Sequence, residues 1–197
     1  MDYVKEHMKK ALANHRLAFL VDEPDASVFV MKAPNTGIYS ITILESRGHL
    51  CLFGDLTIGG PHGCVSASGY GINWFSSQKS DDYLCSKFLE KSWHWEICEA
   101  ELREIVSRAE ELVEVIEAAK EMLSEDYLWT WGTPTSQDVY EKLDNSRYDT
   151  SDGIPGHGYD PSDAGWLVAV QRRFSELFND GQIYESIEEL NAAEAEC

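Results

Sequence analysis

The sequence predicts an α+β fold, in which a small antiparallel sheet, most simply a meander, packs against several helices, one of them long and acidic. Three observations predict it. From Gly37 to Ile58 the residues alternate in the manner of strands and are rich in β-branched and aromatic types. From Ile97 to Leu123 apolar residues recur every three or four positions. Short turn signals punctuate the first half: Ala33-Pro34-Asn35-Thr36-Gly37, Ser46-Arg47-Gly48, Gly54-Asp55 and Gly59-Gly60-Pro61.

Taken in order, residues 2–15 read as a first helix, with Tyr3, Val4, Met8, Ala11 and Leu12 at helical spacing. Lys5, Lys9, Lys10 and Arg16 make a small basic patch on it, read as a solvated face. Asp22-Glu23-Pro24-Asp25 ends whatever precedes it. Val28 to Met31 then reads as a short strand. In the central hairpin, Ile38, Ser40, Thr42 and Leu44 alternate with Tyr39, Ile41 and Ile43. Ser46-Arg47-Gly48 is its turn, with Gly48 free to take a positive φ, and His49 to Phe53 returns. Leu56 to Ile58 is a third short strand of this region. The glycine-rich stretch 59–71 lacks both phosphate-loop spacings and any lysine, so it reads as a surface loop, with a short strand at Cys64 to Ala67.

Asp81 or Asp82 can cap a helix whose apolar face is Tyr83, Leu84 and Phe88. The longest helix expected lies within 96–126, its apolar stripe running from Ile97 to Leu123, and Glu110, Glu114, Glu117, Glu121 and Glu125 recur along it. The aromatic joint Tyr127 to Pro134, with Trp129 and Trp131, ends it. Ser136 can cap a short helix over 137–143. Residues 145–161 form a long polar loop. Asp163 opens a last core helix with an apolar face of Trp166, Leu167, Val170, Phe174, Leu177 and Phe178, which Asn179-Asp180-Gly181 stops. The residues after Ile183 read as an acidic helix or tail. The sheet from Val28 to Ile58 is thus expected under helices 83–91, 97–123 and 163–178.

Charge divides the 197 residues sharply. Residues 1–91 carry 10 acidic and 9 basic side chains, whereas residues 92–197 carry 25 and 7, a net of −18 out of the chain's −19. Two parts are expected: a near-neutral one over 1–91 holding the sheet, and an acidic, mainly helical one over 92–197 on the same core. Direct nucleic-acid binding by the second part is disfavoured, because phosphates need clustered Lys and Arg. A basic protein surface is instead the natural partner, and a homodimer is a further option. No apolar run approaches a membrane span, and the charged N-terminal stretch has no signal-peptide pattern, so a cytoplasmic protein with five free thiols is expected.

Several short motifs carry a family resemblance. The segment Gly48-His49-Leu50-Cys51-Leu52-Phe53-Gly54-Asp55, the pair Trp74-Phe75, Tyr83-Leu84 with Lys87, and later Gly158-Tyr159-Asp160 and Trp166 to Gln171 resemble a family of uncharacterised proteins of tailed phages and prophages. The resemblance covers about residues 27–91 and 157–178, although Leu56-Thr57 departs from the family's pattern after Gly-Asp. What it implies is a phage or prophage origin, and thus the cytoplasm of a bacterial host cell; it supplies no functional residues.

Catalytic and metal motifs are thin. Cys51, His62, Cys64, Cys85, His94 and Cys98 include His62-x-Cys64 and His94-x3-Cys98, but no Cys-x2-Cys pair, so buried apolar cysteines are expected and no metal or other cofactor. Asp149, Asp152, His157, Asp160 and Asp163 offer an alternative, a metal-assisted hydrolase built on the 149–163 loop. A phage structural or accessory protein is another alternative. The favoured expectation is an anti-CRISPR-like inhibitor without catalytic residues that mimics nucleic acid on a host protein or ribonucleoprotein. Its contact residues would be Glu110, Glu114, Glu117, Glu121 and Glu125, with Trp129, Trp131 and Tyr148 as anchors. The bland reading of the same row is a solvated helix face.

Overall fold

A computed structural model describes residues 2–37, 39–54, 64–108, 113–146, 148–149 and 155–193, with the backbone alone for residues 2–4, 129 and 131. In chain order the elements are α1 (Asp2–Ala11), β1 (Arg16–Glu23), β2 (Ala26–Lys32), β3 (Ile41–Ser46), β4 (His49–Gly54), β5 (Cys64–Ser68), α2 (Ile72–Phe75) and α3 (Asp81–Phe88). Then follow β6 (Ser92–Trp93), α4 (Trp95–Ser107), α5 (Val113–Met122), α6 (Glu125–Trp131), α7 (Ser136–Asn145), β7 (His157–Gly158), α8 (Pro161–Asn179), β8 (Ile183–Tyr184) and α9 (Ile187–Ala192). The fold is α+β with a mixed sheet packed by helices. Two compact units divide it: residues 1–90 with 161–197, and residues 91–160. The first junction falls where the charge changes, but the second returns the acidic C-terminal stretch to the unit that holds the sheet.

In the first unit the sheet order is β5-β4-β3-β2-β1-β8, antiparallel throughout except that β8 lies parallel to β1. The central hairpin forms, with Ile43 opposite Leu52 and Glu45 opposite Leu50. Its first strand begins at Ile41 rather than at Ile38, because Tyr39 takes a positive φ of 59°, outside the strand region, while Ile38 lies outside the described residues. Both turn residues, Arg47 and Gly48, take positive φ (50° and 76°), the two-residue turn whose twist matches that of the flanking strands. The meander has a strand more than the sequence suggested at its start: the first helix ends at Ala11 rather than 15, and β1 occupies 16–23. The proposed strand at Leu56 to Ile58 lies outside the described residues.

Alternation explains how the sheet is covered. Phe29, Met31, Ile41, Ile43, Leu50 and Leu52 are buried on one face. Phe29 meets Phe174 and Phe178 of α8 edge-on, with ring centroids 5.6 and 5.9 Å apart. Ala18 and its cross-strand partner Val30 share the other face and pack beneath Leu190, Tyr184 and Ile187. The residues after Ile183, read as a tail or helix, therefore contribute a strand as well as a helix. Ser80, not Asp81 or Asp82, is the N-cap of α3, accepting from the Tyr83 amide.

In the second unit the expected single helix over 97–123 is two. Arg108 closes α4 in an extended conformation, and α5 begins at Val113. The apolar stripe continues in phase across the interruption, so periodicity alone reads one helix. The halves instead pack on each other: Cys98, Leu102 and Ile105 share one core with Val115, Ala119 and Met122, closed by Val139 and Leu143 of α7. That helix carries a capping box, Thr135 with Asp138, placing the N-cap one residue before Ser136.

Candidate functional site

The break between α4 and α5 redistributes the carboxylate row. Glu114, Glu117 and Glu121 lie on α5, Glu125 opens α6, and Glu110 falls outside the described residues. Val115, Ala118, Ala119 and Met122 face the core of the unit. At ~100° per residue the three α5 glutamates fall within an arc of about 60° on the other side, and all three are exposed. Glu121 is held by Lys142 of α7 at 2.5 Å. Val113, 66% exposed, lies about 40° beyond the edge of that arc, away from the core. Among the described residues, three glutamates of the row share one arc of α5. The second unit nonetheless carries 17 acidic against 6 basic side chains.

The aromatic anchors divide. The side chains of Trp129 and Trp131 lie outside the described residues, although their backbone is the last turn of α6, which Ser124 caps through the Tyr127 amide. Tyr148 is half-buried against the core of its unit, and its amide donates to the Leu143 carbonyl at 3.1 Å, so much of its ring is already occupied.

The long loop 145–161 is partly tied down. Ser92 and Trp93 pair with Gly158 and His157, and the Gly156 amide donates to Glu101 at 2.7 Å. His157 is exposed and Asp152 is outside the described residues. Among the described residues no group of three or more His, Cys, Asp or Glu is placed to hold a metal ion, and no helix is long and apolar enough to cross a membrane. Cys85 and Cys98 are buried, as expected of apolar cysteines, and burial pushes their thiols up to about 11 and about 12.

The cations of the first unit form a second feature, which sequence reasoning saw only in part. Lys5 of α1 and Arg172 of α8 both pair with Asp81, at 2.6 and 2.7 Å. Burial would raise the Asp81 carboxyl, but the Lys5 hydrogen bond and the charges of Arg172 and Lys5 outweigh it and hold the group below its ordinary value. A cavity of about 580 Å³ here is lined by Lys5, Lys9, Arg172 and Arg173 together with Glu6, Asp81 and Glu176. Arg173 and Ala13 are shared with a neighbouring cavity of about 770 Å³ between the α1–β1 turn, α8 and β8. Its polar lining is Asn14, His15, Arg16, Arg173, Gln182 and Tyr184. Arg16 donates to the Tyr184 hydroxyl at 2.7 Å, and Arg173 to the His15 carbonyl at the same distance and to Glu176 at 3.1 Å. The pair Arg172-Arg173, the only basic residues after 160, was the available signal for this site.

Against models of protein families, curated proteins and solved structures, the chain shows no match.

Proposed function

We propose that this protein acts by binding, presenting the acidic face of its second unit to a basic surface on another macromolecule. The observation that carries this reading is the set Glu114, Glu117 and Glu121, exposed on one arc of α5 whose opposite arc is core. Such a patch offers carboxylates to lysines and arginines that otherwise meet phosphates, and complementary charge speeds encounter. The finer form is a phage-encoded, anti-CRISPR-like antagonist of a host nucleic-acid-binding complex, working in the bacterial cytoplasm without a cofactor. The phage resemblance and the excess of 25 acidic over 7 basic residues after position 91 support it.

The test uses a tagged chain in lysate of a bacterial host. A captured nucleic-acid-binding protein should be released by its own nucleic acid and by raised salt. The double variant Glu114→Lys, Glu117→Lys should abolish capture while leaving the circular-dichroism spectrum unchanged. Capture that survives both reversals removes this face from the mechanism. Capture that nucleic acid does not displace rejects mimicry.

A further inference from the structure

The cavity between the α1–β1 turn, α8 and β8 points to a ligand independently of the acidic face. We propose that it binds a small molecule bearing both an oxyanion and hydroxyl groups, of the class of sugar phosphates and hydroxy acids, with Arg16 as the principal anion contact.

Charge is the first argument. The chain has 35 acidic and 16 basic side chains, yet two arginines line this cavity and no described carboxylate does. Arg173 has a carboxylate within reach, Glu176 at 3.1 Å, and that side chain lines the neighbouring cavity instead. Arg16 has none: among the described residues its hydrogen-bond partner is the Tyr184 hydroxyl, and its guanidinium lies 5.9 Å from that ring's centroid. A guanidinium carries five donors in a planar fork suited to carboxylate or phosphate. The Tyr184 contact orients Arg16 while leaving most of that fork open.

Unmet hydrogen bonding is the second argument. His15 is 1% exposed, and its Nε2 lies 2.9 Å from the Tyr39 carbonyl oxygen. A carbonyl only accepts, so Nε2 carries the proton and Nδ1 of the neutral ring is left as an acceptor. Among the described residues that Nδ1 is buried without a partner, as is Nε of Arg173, a donor. Both belong to side chains of the cavity wall. Orphaned polar atoms of this kind are rare, and each calls for a group the chain does not supply. Hydroxyl groups can accept from a donor such as Nε and donate to an acceptor such as Nδ1, which is why the class named carries hydroxyls beside its anion. A cavity of this volume is in the range of small-molecule sites.

Calorimetry on the full chain at constant ionic strength tests this with four probes: ribose 5-phosphate, malate, inorganic phosphate and ribose. Ribose 5-phosphate or malate should bind one to one, and whichever does identifies the anion as phosphate or carboxylate. Inorganic phosphate should bind more weakly, and ribose should not bind. Arg16→Gln should weaken binding about tenfold or more, as loss of a charge-assisted hydrogen bond does. Arg172→Gln, in the adjoining cavity, should change it by less than about twofold. Should Arg16→Gln fail to fold, the ¹⁵N resonances of the His15 ring in the unaltered protein decide, since His15 lines the cavity and occupancy should shift them. The proposal is overturned if none of the probes gives heat or a His15 shift at about 10 mM, the weak end of specific binding. It is equally overturned if Arg172→Gln, and not Arg16→Gln, removes the binding.

Discussion

Arg173 on α8 donates through Nη2 to the backbone carbonyl of His15, 2.7 Å away, and so fastens the last long helix to the turn where the chain leaves α1 for β1. The same guanidinium, with burial, keeps the His15 ring neutral: desolvation lowers its pKa from 6.5, the Tyr39 hydrogen bond works against this, and the positive charge of Arg173 adds to it.

A pH dependence follows. The unfolded chain takes up a proton on His15 near its ordinary value of 6.5, whereas the folded chain does so only at lower pH. The unfolded state therefore binds more protons between those values, so stability is full above 6.5 and falls as pH drops toward the folded value. The urea midpoint should decline between pH 7 and pH 5, with a slope from this group of at most ~1.4 kcal/mol per pH unit. His15→Gln, which keeps a donor for Tyr39, should flatten that decline. An unchanged slope in the variant would assign it to other groups.

How much of this was legible in the sequence differs from element to element. The hairpin was, because Ile41 and Ile43 flank the polar Thr42 in a β-branched run and Gly48 sits at a turn that needs positive φ. β1 was not: Leu17 and Ala18 are buried on opposite faces, so the run from Leu17 to Val21 has no period-two signal. β8 is two residues long and is a strand only because Leu17 and Ala18 lie beside it. The cavity was hidden for a similar reason, since its wall gathers residues 13–16 with 173 and 181–184. The basic patch at Lys5, Lys9, Lys10 and Arg16 was visible, but its completion by Arg172 and Arg173 is a product of tertiary packing.

The division of the 97–123 segment into two helices makes Ile105 and Ile116 unequal. Ile105 is 3% exposed within the α4–α5–α7 core, whereas Ile116 is only half-buried. Ile105→Ala should cost ~2–4 kcal/mol in urea unfolding, and Ile116→Ala about half as much. Equal costs would mean that α5 turns a different face to the core.

Thiol reactivity should follow the same packing. Cys85 and Cys98 are buried with thiols raised to about 11 and about 12, so at pH 8 they are protonated as well as shielded. Cys64 is exposed on β5, though partial desolvation and the neighbouring Cys51 raise its thiol too. Brief alkylation of the native chain followed by peptide mapping should find Cys64 modified, with Cys85 and Cys98 modified only after denaturant is added. Early labelling of Cys98 would contradict the core of the second unit.

Gly156 offers the most local test of how the 145–161 loop is held. Its φ of +104° disfavours any side chain, and a Cβ there would stand 2.5 Å from Trp93 Nε1 and 2.8 Å from the Cys98 Cβ. Around it, the Gly156 amide donates to Glu101, its carbonyl accepts from the His94 amide at 2.8 Å, and the Trp93 indole donates to the Pro155 carbonyl at 3.0 Å. Gly156→Ala must move the loop or the indole, since the Cys98 backbone is fixed within α4. The expected cost is ~2–5 kcal/mol, from left-handed strain together with overpacking. Glu101→Gln keeps an oxygen acceptor for the Gly156 amide and should cost ~1 kcal/mol or less, while Glu101→Ala leaves that amide unmet and should cost ~1–3 kcal/mol. Hydrogen exchange reads the consequence directly. The amides of Trp93, His94 and Gly156 should exchange faster in Gly156→Ala and Glu101→Ala, and remain near their original rates in Glu101→Gln. If all three variants exchange alike, the loop is held by something other than the Glu101 carboxylate and the close fit of Gly156 against Trp93.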